Sequence, residues 1–316
     1  MTESIHNPQS EIPNRLVECV PNFSEGRKSE TVDRIASAIE TVAGVMVLNR
    51  HIDVDHNRSV ITFVGEPNAI VSAAIKAVGT ARDLIDLRTH AGVHPRIGAT
   101  DVLPFVPVAG VTMQECVALA HEAGRRIWQE LSIPVYFYER AALRAERKRL
   151  EHVRGKGFEW LQHEIENNPE RAPDVGDPKL HESAGATVVG ARPFLIAFNV
   201  NLQTNDSSIA RSIAGEVRER GGGLPFVKAL GFELQSRGVV QVSMNLIDYQ
   251  QTGIAQAFEA VRAAASLRRI EVLGAEIVGL VPRAALDRDA SYFSYLENFR
   301  ETLVIETLLE ELQARR

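Results

Sequence analysis

The stretch His90-Ala91-Gly92-Val93-His94-Pro95-Arg96-Ile97-Gly98-Ala99-Thr100-Asp101 gathers two imidazoles, a guanidinium and a carboxylate in one short run. Histidine takes and gives a proton near neutral pH because its unperturbed pKa is about 6.5. Pro95 pushes His94 toward extended geometry, and Gly92 and Gly98 punctuate the backbone around it. The pair His90/His94 is therefore not the helical i,i+4 face of a zinc protease. A rigid polar loop is expected, with His94 as the proton carrier. A second polar cluster, His51-Ile52-Asp53-Val54-Asp55-His56-Asn57-Arg58, connects two apolar runs. Both clusters fall at strand ends, where sites are commonly built.

Three chemistries compete. His51, Asp53, Asp55, His56, His90 and His94 are residue types that bind zinc or manganese, but their spacing matches no recurring metal signature. Arg50, Arg58 and Arg96 would also oppose a cation, so no metal is expected. The plain alternative is a pair of solvated loops with a structural histidine or two. The third reading is acid and base catalysis on an anionic organic substrate: His94 moves the proton, a nearby carboxylate orients its ring, and arginines grip carboxylates bidentately. This reading is preferred. There is no Gly-x-Ser-x-Gly, Gly-x-Gly-x-x-Gly or P-loop, and Gly221-Gly222-Gly223 follows a helical pattern as a cap.

The elements that must position these groups follow from composition and periodicity. With 316 residues, 45% of them hydrophobic, the chain can bury a substantial core, and two domains are the natural expectation. A net charge of −6 argues against nucleic acid or an anionic membrane as partner. Cys19 and Cys116 each sit in an apolar run, which points to buried thiols and a reducing, cytoplasmic setting. Residues 1–14 lack the blocks of a secretory signal and read as a flexible tail, and no apolar run is long enough to span a bilayer.

From Leu16 onward, strand and amphipathic-helix patterns alternate. Leu16–Phe23, Val45–Leu48, Ser59–Val64, Val102–Val108 and Val135–Tyr138 read as strands. Helical stripes run through Val32–Ile39, Ile70–Ala77 and Cys116–Ile127, the last opened by a Thr112/Glu115 capping box. Arg140–Arg171 reads as an exposed helical excursion, and Pro173 to Gly185 as the domain junction. The rhythm then repeats: strand Phe194–Leu202, helix Ile209–Arg220, strands Val227–Gln235 and Val239–Ile247, helix Ile254–Ala265, strand Ala275–Pro282, and a closing helix over Tyr292–Leu312. The expected fold is α/β (α+β): two ferredoxin-like βαββαβ subdomains, 15–183 and 184–316, whose mixed sheets flank a cleft.

Several separate motifs then match one family in order: Val17-Glu-Cys-Val-Pro-Asn-Phe-Ser-Glu-Gly26, Asn57-Arg58, Thr62-Phe-Val-Gly65, His90-x-Gly-x-His94-Pro-Arg-x-Gly98, and Gly185-Ala-Thr187 with Gly190-Ala-Arg192. From about Leu16 to Leu286 the chain resembles the glutamate formimidoyltransferases. The resemblance implies transfer of the formimino group of N-formimino-L-glutamate to N5 of tetrahydrofolate, a step of histidine degradation, with tetrahydrofolate as co-substrate and no metal. It implies two α/β subdomains around a positively lined tunnel, a homodimer, and small-molecule partners only. It places the catalytic histidine on His94 and the folate stretch on Gly176-Asp177-Pro178-Lys179-Leu180-His181-Glu182-Ser183-Ala184-Gly185. In the fused animal enzymes an aspartate assists the histidine, and an ungapped alignment from Asn57-Arg58 puts His51 there. The chain departs from that pattern, so Asp53 is the preferred carboxylate, with Asp55 next. Arg50, Arg58, Arg96, Lys179 and Arg192 are the candidate counter-charges for substrate carboxylates. The competing functions are formyl transfer and a folate or small-anion binding protein without turnover.

Overall fold

A computed structural model describes residues 15–92 and 94–314. The expected tail over 1–14 lies outside the described residues. Two sheets form; the long helices cover one face of each, and a short helical segment covers part of the other face of the first.

In the first half, β1 (Leu16–Cys19) and β2 (Asn22–Phe23) are the expected single strand, interrupted at Pro21, which has no N–H for a ladder. α1 (Ser29–Glu40) buries Val32, Ile35, Ala36 and Ile39, the stripe that its helical spacing requires. A hairpin of β3 (Val45–Asp53) and β4 (Arg58–Gly65) leads to α2 (Pro67–Leu84), β5 (Thr100–Ala109), α3 (Met113–Leu131) and β6 (Val135–Glu139). The Thr112/Glu115 capping box opens α3 as expected.

The strand order β3-β4-β1-β5 is the split βαβ arrangement, antiparallel throughout. β7 (Thr187–Ala191) then pairs parallel with both β5 and β6 and completes a seven-stranded sheet. This strand was not expected in the first half. The chain leaves the first sheet only after Ala191, whereas the sequence places the divide at 183/184.

The second half runs β8 (Ile196–Leu202), α6 (Ser207–Val217), β9 (Val227–Leu234), β10 (Val239–Leu246), α7 (Ile254–Leu267) and β11 (Val272–Val278). Its order, β11-β8-β10-β9, repeats that of the first half. The expected closing helix over Tyr292–Leu312 is replaced by short turns at Ser291–Tyr295 and Glu301–Leu303 before α8 (Ile305–Ala314). The cause is backbone pairing, since Leu296 bridges Ala275 and Val304 bridges Val281. A continuous helix could not offer those bonds.

The expected exposed excursion over Arg140–Arg171 is also corrected. It contains α4 (Leu150–Arg154) and α5 (Phe158–Glu164), and it buries Val153, Leu161 and Ile165 against Tyr136, Tyr138 and Val188 of the first sheet. Arg147, fully surrounded, is neutralised by Asp174 at 2.7 Å and donates to the carbonyls of Glu170 and Ala172. The high charge of this segment serves internal pairing.

Strand alternation sends Val17, Cys19, Phe23, Ile61, Phe63, Leu103 and Phe105 to the helices and leaves Glu18, Thr62 and Val102 on the other face. The second sheet does likewise with Phe198, Val200, Val242 and Met244 against Asn199 and Ser243. The two free faces meet across a cleft.

Candidate active site

The cleft holds a cavity of about 1090 Å³, its open mouth included. The first half contributes Glu18, Asn22, Arg58, His94, Tyr138 and Arg192; the second contributes Asn199, Ser243, Asn245 and the turn Val278-Gly279-Leu280. Two links tie the halves at the rim. Asp55, on the β3–β4 turn, accepts from the Ser236 amide at 3.0 Å and its hydroxyl at 2.6 Å. Lys228 of β9 pairs with Glu151 of α4 at 3.0 Å.

His94 is half-buried and lines this cavity. Its loop is stitched at several points. Asp101 accepts from the Ile97 amide at 2.9 Å and pairs with Arg154 at 2.5 Å. Arg96 donates to the His90 carbonyl at 3.0 Å and pairs with Glu159 at 2.8 Å. Asn57, in left-handed conformation, accepts from the Gly26 amide at 3.0 Å and donates to the Ala91 carbonyl at 2.9 Å. Gly98 has to be glycine, because a Cβ there would lie 2.0 Å from the Ala186 carbonyl oxygen.

The His94 ring has Nδ1 2.8 Å from the Pro95 carbonyl, so Nδ1–H donates there and Nε2 is the acceptor nitrogen. The Arg58 guanidinium lies against the ring, 2.8 Å from Nδ1 and in contact with Nε2. Burial, then Arg58, Arg154 and His56, hold the imidazole well below its usual pKa, which the Pro95 contact only partly offsets. The His94 imidazole is thus neutral at pH 7.

Among the described residues no carboxylate forms an ion pair with Arg58. It donates to Asn22 Oδ1, its Nε is buried without an acceptor, and burial followed by Arg154 brings its pKa down to about 10. It remains cationic at neutral pH. Arg192 likewise lines the cavity with its Nη1 on the Pro193 carbonyl, 3.0 Å away. By contrast Arg50 pairs with Asp33 away from the cavity, and Lys179 is exposed outside it. Arg96 pairs with Glu159 and donates to the His90 carbonyl, leaving only its Nε without a partner, and it does not line the main cavity.

Asp53 does not orient His94. Its Oδ2 lies 2.6 Å from His56 Nδ1 and its Oδ1 accepts the His56 amide at 2.8 Å, because a turn over residues 53–56 closes on itself. Burial pushes the Asp53 carboxyl up, but the bonds from His56 outweigh it and the pKa falls. The His56 and His94 ring centroids are 6.1 Å apart, and Phe232 of β9 packs on both, at 4.7 Å and 6.1 Å. His90 is structural: its Nε2 is 3.0 Å from the Asn57 carbonyl. Among the described residues no group of three or more His, Cys, Asp or Glu side chains is placed to hold a metal ion.

The stretch Gly176–Gly185 lies outside the cavity lining. It braces the His94 loop from behind: Gly185 bridges Gly98, the Ala99 amide donates to the Ala184 carbonyl at 2.9 Å, and Leu87 N–H to the Ser183 carbonyl at 2.8 Å. Sequence reasoning missed Glu18, Phe232, Arg154 and the amides of β8 and β10. A carboxylate inside Leu16-Val-Glu18-Cys-Val20 and the alternation Phe198-Asn199-Val200-Asn201 were available signals, since polar residues inside apolar strands must face something other than a core. Nothing local marks Phe232 or Arg154.

The cleft between twinned βαββαβ halves thus brings a histidine together with the Arg58 and Arg192 guanidiniums, which marks it as a candidate enzyme active site. Comparison with known proteins specifies it. The formiminotransferase domain, N-terminal subdomain, matches residues 16–192 and the formiminotransferase domain matches residues 197–312. The chain belongs to the formiminotransferase family. It is 46% identical over 297 residues to the glutamate formimidoyltransferase of Thermoplasma acidophilum, covering 94% of this chain and 98% of that one. To the glutamate formimidoyltransferase of Streptococcus pyogenes it is 42% identical over 285 residues, 90% and 95% covered. It is also 43% identical to the formimidoyltransferase-cyclodeaminase of Dictyostelium discoideum, of which it spans 57%.

Proposed function

We propose that the cavity transfers the formimino group of N-formimino-L-glutamate to N5 of tetrahydrofolate, with His94 as the proton carrier. The observation that supports it is the juxtaposition of a neutral His94 with Arg58, a cation that forms no ion pair with a carboxylate among the described residues. N5 attacks the amidine carbon to give a tetrahedral adduct. His94 Nε2 takes the proton from N5 and returns one to the glutamate nitrogen, whose bond to carbon then breaks. The products are 5-formimidoyltetrahydrofolate and glutamate, and one proton has moved between two nitrogens.

Arg58, against the His94 ring, is placed to take a substrate carboxylate, which can bind a guanidinium bidentately. Arg192 supplies a second counter-charge. Arg96, Asp53 and the stretch Gly176–Gly185 act one layer back: Arg96 and the stretch hold the His94 loop, and Asp53 holds His56. A folate contribution from Gly176–Gly185 then comes through that loop. We place the protein in the cytoplasm as a homodimer, with its two substrates as partners and neither nucleic acid nor membrane, in keeping with a net charge of −6.

The test is formation of 5-formimidoyltetrahydrofolate and glutamate from purified protein in the presence of a chelator. Turnover supports the reading. Binding of tetrahydrofolate with no turnover would leave only a folate-binding protein.

A further inference from the structure

The charged segment 140–171 has no part in the mechanism above, yet its helix α4 reaches the His94 loop, the cavity and the second half at once. Arg154 pairs with Asp101 at 2.5 Å, with side chains only 12% and 4% exposed. The other oxygen of Asp101 accepts from the Ile97 amide at 2.9 Å, three residues after His94. A pair of opposite sense, Arg96 with Glu159 at 2.8 Å, joins the same loop to α5. Three residues before Arg154, Glu151 pairs with Lys228 of β9 at 3.0 Å, and its neighbour Leu150 lines the cavity.

Five residues of helix do not hold themselves, so α4 takes its rigidity from packing. Val153 is buried with Tyr136, Tyr138 and Val188 of the first sheet. Gly155 then turns the chain at φ +55°, where a Cβ would lie 2.2 Å from the Trp160 ring. α4 is thereby a fixed strut between Asp101 at one end and Lys228 at the other.

β9 grips the first half at two points. Alternation sends Val227 and Ala229 to the helices of the second half and Lys228 and Phe232 to the cleft. Phe232 rests on the His94 ring, centroids 6.1 Å apart, while Lys228 holds α4. The second half therefore meets His94 directly through Phe232 and indirectly through Glu151, Arg154 and Asp101. Arg154 is outside the cavity lining, so it acts through the loop and not on a ligand.

We propose that Arg154 is a positioning residue through which docking of the second half, made fast at Glu151 and Lys228, sets the place of the His94 ring. The proposal rests on the reading of His94 as proton carrier and deepens it. The charge of Arg154 also bears on the ring: after burial and Arg58, it is the next group that holds the His94 pKa down, with His56 following.

The test follows kcat, KM and the pH profile of the full chain, together with the His94 ring signals by NMR. Arg154→Met should lower kcat about 10- to 100-fold, the scale of a small misplacement of a reacting group, and leave KM for both substrates within about 3-fold. Losing the cation and leaving Asp101 unpaired both favour the imidazolium, so the acid limb of kcat/KM should move to higher pH. Arg154→Lys keeps the charge and should hold the limb near its wild-type place while restoring kcat only in part. At the rim, Glu151→Gln and Lys228→Met should each cost about 2- to 5-fold in kcat, the size of a partly exposed ion pair, and add nothing in the Arg154→Met background.

An Arg154→Met protein that folds with unchanged kcat and pH profile overturns the assignment. Should it fail to fold, Arg154→Lys takes its place in the cycle, and wild-type kcat there is equally fatal. Additive losses, or a loss in Lys228→Met without one in Glu151→Gln, would route the effect through Phe232 on β9 and overturn the role of α4. If the wild type shows no turnover, the catalytic reading fails by itself. His94 ring signals that shift in Glu151→Gln then still support the strut, and unmoved signals contradict it.

Discussion

The two half-molecules repeat one strand order, yet they turn different chemistry toward the cleft. The first half presents four ionisable groups, Glu18, Arg58, His94 and Arg192. The second presents amides bonded to each other: Asn199 Nδ2 reaches Glu276 at 2.9 Å, and Gln241 Nε2 reaches Asn201 at 3.0 Å and Glu276 at 3.1 Å. Glu276 fixes the flip of Asn199, so its unpaired Oδ1 is an acceptor. The same architecture thus supplies mostly charged groups from one side and, from the other, a wall of amides held by the Glu276 carboxylate. Phe232 is the exception that crosses over, since a second-half ring covers both histidines.

The contrast is broken most severely by His94→Ala. The variant should keep the wild-type melting profile within a few degrees and lose about 10²- to 10⁴-fold in kcat, the usual worth of a positioned acid/base. Activity within a few-fold of wild type would move the chemistry off the first sheet. Next in size is Phe232→Ala, which opens the histidines to water. We expect a drop in kcat of about 10-fold and a rise of the His94 pKa toward 6.5, both readable by kinetics and NMR.

The pH dependence of stability sharpens the comparison further. His94 titrates below its unfolded pKa, so the folded state binds fewer protons and stability is lost as pH falls below about 6.5. Glu18 has the opposite sign: its folded pKa of about 7 exceeds 4.5, so stability is lost as pH rises through that window. Thermal melts should show Glu18→Gln gaining on wild type at pH 8 and little at pH 4.5. The smallest effect belongs to the wall. Gln241→Leu, outside the cavity lining, should leave turnover within about 3-fold, and a larger loss would mean that the second sheet positions the reacting groups.

Much of this was legible in the chain. The repeated βαββαβ order follows from periodicity, and the His94 loop follows from Gly92, Pro95 and Gly98. β7 was hidden because Thr187-Val-Val-Gly-Ala191 looks the same whether it starts one domain or ends another; only pairing with β5 and β6 decides. Asp53 was assigned to His94 because linear proximity cannot show that a turn returns its carboxylate to His56. Arg96 looked like a substrate cation until Glu159, distant in sequence, was seen to neutralise it.

The most direct test of a neutral base beside an unpaired cation is the NMR titration of the His94 ring, identified by its loss in His94→Gln. A pKa well below 6.5 that climbs in Arg58→Met is the expected result. A value at or above 6.5 in the wild type would mean that the ring is protonated when the folate nitrogen arrives, and the account would be wrong.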